Sequence, residues 1–145
     1  MEKIIVHAKF HTGHRQLGYP GVCRFVHGHT WRGTVSIATE TFPRDALDMS
    51  LDFGVIKQVM RDLDHKMLVV ASDATLLDSA LFEPEGIVVV AGKSPSVENV
   101  AHYVYSRVVE LIRSRYPDRG LAYRIEVTIQ ETENNLFVVE QTATV

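Results

Sequence analysis

Strict alternation opens the chain. Ile4, Val6, Ala8 and Phe10 fall on one side of residues 3–11, and Ile5, His7, Lys9 and His11 on the other, the mark of a strand with one buried face. Gly13, Gly18, Pro20 and Gly21 predict a loop over 12–22. A second alternating run spans 25–40, with His27, His29, Trp31, Val35 and Ile37 on one face and Thr30, Arg32, Thr34 and Ser36 on the other. The period then lengthens. Asp52 can cap a helix whose apolar positions are Phe53, Ile56, Val59, Met60 and Leu63, ending near Leu63-Asp64-His65. Residues 66–93 carry no clear period, although 86–92 reads as a short buried strand or an extended connection. Ser94 or Ser96 can cap a second helix with the stripe Val97, Val100, Ala101, Val104, Val108, Leu111 and Ile112, which Pro117 and Gly120 terminate. Tyr123, Ile125, Val127 and Ile129 share one face of a strand over 122–131. Asn134-Asn135 turns the chain into a last strand from Leu136 to Val145. Four antiparallel strands with two helices on one face make an α+β layer, and its open edges predict an oligomer.

Composition narrows this little. The 145 residues fit one domain, 1–145, with no internal repeat or linker. A net charge of −3 gives no pull toward nucleic acid, and the apolar runs are too short to span a membrane. A single cysteine cannot form an internal disulfide, and the N-terminus lacks signal-peptide features, so a cytoplasmic location is expected.

The chemistry concentrates in residues 10–31. His27 and His29 share the more apolar face of one strand, where an unpartnered imidazole is costly. The 12–22 loop can return His14 toward them, as an antiparallel pair would. Three imidazoles meeting there would form a zinc site with an open, catalytic position. Cys23 is either a fourth ligand in a closed site or a separate thiol near an open one. His7, His11 and His102 read as structural or solvated. Asp64-His65 reads as a histidine favoured by a helix C-terminus or as a functional pair. Glu131, on the apolar strand face, is either wet beyond the sheet edge or functional.

These residues resemble a known family. Cys23-x-x-x-His27-Gly28-His29, preceded by Phe10-x-x-x-His14, is similar to the signature of the 6-pyruvoyltetrahydropterin synthase superfamily, whose bacterial branch includes 6-carboxytetrahydropterin synthase. Leu51-Asp52-Phe53-Gly54, Leu63-Asp64-His65-Lys66, Pro95-Ser96-Val97-Glu98-Asn99 and Glu131-Thr132 resemble four further motifs in the family's order. The chain departs from that pattern at Ser96, where threonine is usual, and in a long span from His65 to Pro95.

The resemblance implies a tunnelling fold (T-fold) of two-helix, four-stranded subunits. These would form a twelve-stranded barrel as a trimer, with two trimers stacked into a homohexamer. It implies zinc on His14, His27 and His29, and proton transfer by Cys23, Asp64 and His65, partly across a subunit boundary. It implies that Glu131 anchors a pterin ring, with Glu98 and Ser96 nearby, and that Glu131 also enters a relay with His65. The implied substrate is 7,8-dihydroneopterin triphosphate. Arg15, Arg24, Lys66 and Lys93 are candidate partners for its phosphates, though any one of them also reads as solvated surface charge. The short Cys-to-His spacing resembles the carboxytetrahydropterin branch of queuosine biosynthesis rather than the pyruvoyl branch. A zinc- and pterin-binding oligomer without catalysis is the other reading, against which the retained Cys23, Asp64 and His65 argue.

Overall fold

The computed structural model describes residues 1–116 and 120–145, so Pro117, one of the two expected helix terminators, lies outside the described residues. The elements in chain order are β1 (Glu2–His14), β2 (His27–Thr39), α1 (Phe53–Arg61), β3 (Lys66–Val69), α2 (Ala74–Leu77), β4 (Ile87–Val89), α3 (Val97–Arg115), β5 (Ala122–Gln130) and β6 (Leu136–Thr144). The strands form one sheet in the order β4-β3-β1-β2-β5-β6.

The expected four-stranded sheet is thus corrected to six. β1, β2, β5 and β6 are antiparallel as the alternation predicts. β3 and β4 add a parallel flank, Thr12 and Gly13 pairing with Lys66 and Met67, and Met67 to Val69 with Ile87 to Val89. These strands are four and three residues long, and Met67, Leu68 and Val69 are all buried. A strand buried on both faces shows no alternation, which is why β3 gave no period. The same stretch holds the one-turn helix α2, capped by Asp73.

The main helices fall as expected and share one face of the sheet. Asp52 caps α1, its Oδ1 accepting from the backbone N–H of Gly54 at 2.7 Å. Ser96 caps α3, its Oγ accepting from Asn99 N–H at 3.4 Å. Ile56, Val59 and Met60 of α1 and Val100, Ala101, Val104, Val108 and Ile112 of α3 pack on Phe10, Trp31, Val35, Ile37, Tyr123, Ile125, Val127 and Ile129. Phe53 departs from its expected stripe and is exposed. Helix α1 also stops at Arg61, two residues before the expected Leu63. No helix among the described residues is long and apolar enough to cross a membrane.

The pairing of β1 with β2 governs everything that follows. Strand β1 runs past the expected boundary to His14, because Gly13 and Gly28 face each other across the ladder and neither interrupts it. The register runs from Glu2 opposite Thr39 to His14 opposite His27.

Candidate functional site

Even-numbered residues of β1 and odd-numbered residues of β2 face the core, so the ladder's last rungs bring His14, His27 and His29 to one spot. Their ligand atoms all lie within 4.8 Å of one another. The rings are stacked edge to face, with His14 centroids 4.7 Å from His27 and 5.3 Å from His29. Trp31 forms the floor, 5.1 Å from the His14 ring, and its Nε1–H donates to the Thr12 carbonyl at 3.3 Å.

Backbone carbonyls orient two of the rings. His14 Nδ1 lies 2.7 Å from the Pro95 carbonyl, and His27 Nδ1 lies 2.7 Å from that of Phe25. A carbonyl only accepts, so each Nδ1 carries the proton and each Nε2 keeps a lone pair. His14 is fully buried, and its Nε2 finds no hydrogen bond. Burial pushes its pKa down to about 4, aided by His27 and His29 and opposed by the Pro95 carbonyl. Burial lowers His29 as well, the Glu131 carboxylate opposing the effect. Pre-oriented imidazoles around the buried His14 Nε2 fit a transition-metal cation, and zinc suits that donor set. The orphaned Nε2 of His14 is the observation that tests the fit.

Glu131 joins this group. It follows β5 directly, and its Oε1 stands 3.3 Å from His14 Nε2 and 3.9 Å from His29 Nε2. The first separation is an electrostatic approach without hydrogen-bond geometry, consistent with the unpartnered Nε2. Glu131 thus lies past the end of β5 beside two of the histidines, with its side chain 19% exposed.

Asp64 and His65 form a second group against β1. Asp64 Oδ1 accepts from the His11 backbone N–H at 2.7 Å, and Oδ2 faces His65 Nδ1 at 2.8 Å. The His65 N–H donates to the His11 carbonyl at 2.7 Å. These bonds hold His65 in a left-handed conformation, φ 57°, which a non-glycine residue adopts only where its surroundings impose it. The His11 N–H is the main cause of the lowered Asp64 pKa, followed by His65. His65 comes four positions after Arg61, the last residue of α1. Its side chain is 81% exposed. A shallow depression of about 440 Å³ between the two groups is lined by His11, Thr12, Gly28, His29, Thr30 and His65, among others. A larger groove of about 620 Å³ lies by Phe42, Met49 and Phe53, and none of the residues singled out for catalysis or metal binding lines it.

The remaining candidates are scattered. Cys23 sits half-buried in a single 3-10 turn, Val22–Arg24, and its thiol stands outside the histidine cluster. Glu98 is exposed on the first turn of α3. Three of the four candidate phosphate partners already have contacts. Arg15 is paired side-on with Asp73, Arg24 donates to the Pro20 and Gly21 carbonyls, and Lys66 donates to the Glu85 carbonyl. Lys93 is exposed. Sequence reasoning missed the Pro95 carbonyl and Asp73, since neither carries a local signal. Their partners lie 81 and 58 positions away.

Known proteins resemble this chain over most of its length. Residues 3–142 match the family described as 6-pyruvoyl tetrahydropterin synthase. The 6-carboxy-5,6,7,8-tetrahydropterin synthase of Rickettsia felis is 28% identical over 105 residues, 69% of this chain and 75% of its own length. The putative 6-carboxy-5,6,7,8-tetrahydropterin synthase of Pyrococcus abyssi is 31% identical over 105 residues, 66% of this chain and 65% of its own. Among solved structures, 6-pyruvoyl tetrahydropterin synthase from Plasmodium vivax superposes with a TM-score of 0.67 at 16% identity, covering 98% of each chain. An uncharacterized protein from Wolinella succinogenes gives 0.67 at 21% identity, covering 97% of this chain and 98% of that one. At these identities the structural likeness shows the fold alone.

Proposed function

The chain belongs to the 6-pyruvoyl tetrahydropterin synthase family, and on that premise we propose that it converts 7,8-dihydroneopterin triphosphate to 6-carboxy-5,6,7,8-tetrahydropterin, releasing acetaldehyde and triphosphate. The observation that carries this reading is the histidine cluster, in particular the buried His14 Nε2 that no hydrogen bond satisfies. His14, His27 and His29 would hold zinc, which when bound supplies Lewis acidity to a substrate hydroxyl and makes the neighbouring C–H more acidic. The names of the relatives support the carboxy product over the pyruvoyl one.

The chain's own groups then divide the work. The Pro95 and Phe25 carbonyls hold His14 and His27 in the tautomer that leaves Nε2 open. Cys23 is the candidate base at the substrate carbon. Asp64 fixes His65 through Nδ1, which leaves His65 Nε2 to exchange the second proton. Glu131 accepts from the pterin N–H groups, a task suited to an acceptor-only carboxylate. His65 is so exposed in the single chain that a neighbouring copy is needed to enclose it. The exposed outer strand β6, with Leu136 59% and Val138 44% accessible, offers an edge for such assembly into a homohexamer in the cytoplasm.

Product analysis tests the proposal. Zinc-loaded protein with dihydroneopterin triphosphate should yield carboxytetrahydropterin and acetaldehyde by mass spectrometry. Pyruvoyltetrahydropterin would transfer the chain to the other branch, and absence of turnover would overturn the catalytic reading.

A further inference from the structure

Two acceptors face each other in the cluster. His14 Nε2 carries a lone pair, because its Nδ1 gives the proton to Pro95. Glu131 Oε1 lies 3.3 Å away, and the same oxygen is 3.9 Å from His29 Nε2. Two lone pairs at that distance repel unless a positive charge lies between them. The His14 ring is fully buried, so solvent cannot supply that charge, and a cation held between the two groups can.

The spacing agrees. Ligands at about 2.0–2.1 Å in a tetrahedral zinc site stand about 3.3–3.4 Å apart. Glu131 and His14 are already at that separation, and Glu131 and His29 need to close by about half an ångström. The three imidazoles by themselves leave one position of a four-coordinate cation open. Glu131 sits just past β5, with its side chain 19% exposed and its backbone N–H donating to the Asn135 carbonyl at 3.2 Å.

We propose that Glu131 is itself a ligand in the substrate-free protein, closing the position the three histidines leave open. A substrate hydroxyl enters only when this carboxylate swings off, and the carboxylate so released becomes available to the ring N–H groups. Recognition of the ring and opening of the cation are then one exchange made by one side chain. The inference rests on the cation site of the proposed function and adds a second duty to Glu131.

Cobalt(II) in place of zinc gives a test that needs no turnover. Its visible bands report coordination, and competition with a chelator gives its affinity. Glu131→Gln keeps the size and removes the anionic donor. It should bind cobalt at least about tenfold more weakly, with altered visible bands. Adding 7,8-dihydroneopterin should change the bands of the wild-type protein. A Glu131→Gln protein with wild-type affinity and spectrum would overturn the inference. His27→Ala separates the two levels. If it loses cobalt while Glu131→Gln is unaltered, the cation site stands and only the carboxylate ligand falls. If it binds as the wild type does, the cation site itself is wrong.

Discussion

Arg15 and Asp73 meet side-on, Nε on Oδ2 at 2.7 Å and Nη2 on Oδ1 at 2.6 Å. Asp73 is 3% exposed and Arg15 23%. The pair fastens the start of α2 beside the residue that follows His14, so the parallel flank of the sheet is tied to the end of β1 that bears the site. The same pairing occupies Arg15 Nε and Nη2 and leaves Nη1 for any further partner.

Asp73→Ala should cost roughly 2–4 kcal/mol, the range for breaking a mostly buried ion pair, reduced for the partial exposure of Arg15. Urea unfolding of the two proteins at neutral pH measures it. A difference below about 0.5 kcal/mol would mean that the pair is only solvated charge.

The metal-free protein should lose stability in two pH windows. His14 has a folded pKa of about 4, below its ordinary 6.5, so the unfolded chain takes up a proton that the folded one refuses. Stability should therefore fall as pH drops from about 6.5 to 4, by about 3 kcal/mol in total. Asp73 acts lower down. Its pKa is depressed, chiefly by Arg15, so its contribution is complete above the ordinary carboxylate range and is lost as pH falls through the depressed value. Unfolding curves from pH 3 to 8 with a chelator present check both. His14→Gln should shrink the upper window, leaving the part that the lowered His29 contributes, and leave the lower.

Gly92 should resist substitution. It has φ +115°, and a Cβ there would lie 2.4 Å from Asn99 Nδ2, which donates to the Ser94 carbonyl at 2.8 Å. Gly92→Ala should cost about 2–3 kcal/mol. It should also weaken zinc binding by about tenfold, because the disturbed segment carries the Pro95 carbonyl that orients His14. Thermal unfolding and chelator competition read the two effects separately.

Cys23→Ala should keep a full complement of zinc and lose turnover by about 10²–10⁴-fold. Metal analysis beside a rate assay decides it. Zinc lost in proportion to activity would make the thiol a ligand after all.

Much of this site was legible because strand alternation is a strong signal. It placed His27 and His29 on one face and put Glu131 on the apolar face of its strand, while helix-start chemistry offered Asp52 for α1 and Ser94 or Ser96 for α3. Gly13 misled, since glycine reads as loop wherever its partner across the ladder is unknown. Strand β3 escaped for another reason: it is short, parallel and buried, so neither length nor alternation marks it. The contacts that orient the site escaped altogether. Asp73 to Arg15 and Pro95 to His14 join positions that only the folded chain brings together.

The long β1–β2 register has a consequence for how the protein reaches its native state. His14 and His27 occupy the last rung of a ladder that begins at Glu2 and Thr39. A slip of one residue would turn one strand's imidazoles to the opposite side, and a slip of two would part them by about 7 Å along the strand. Only the correct alignment assembles three nitrogens within reach of one ion. A cation arriving during folding would therefore act as a proofreader, rewarding a hairpin whose rungs have been counted correctly and leaving every misaligned one without its reward.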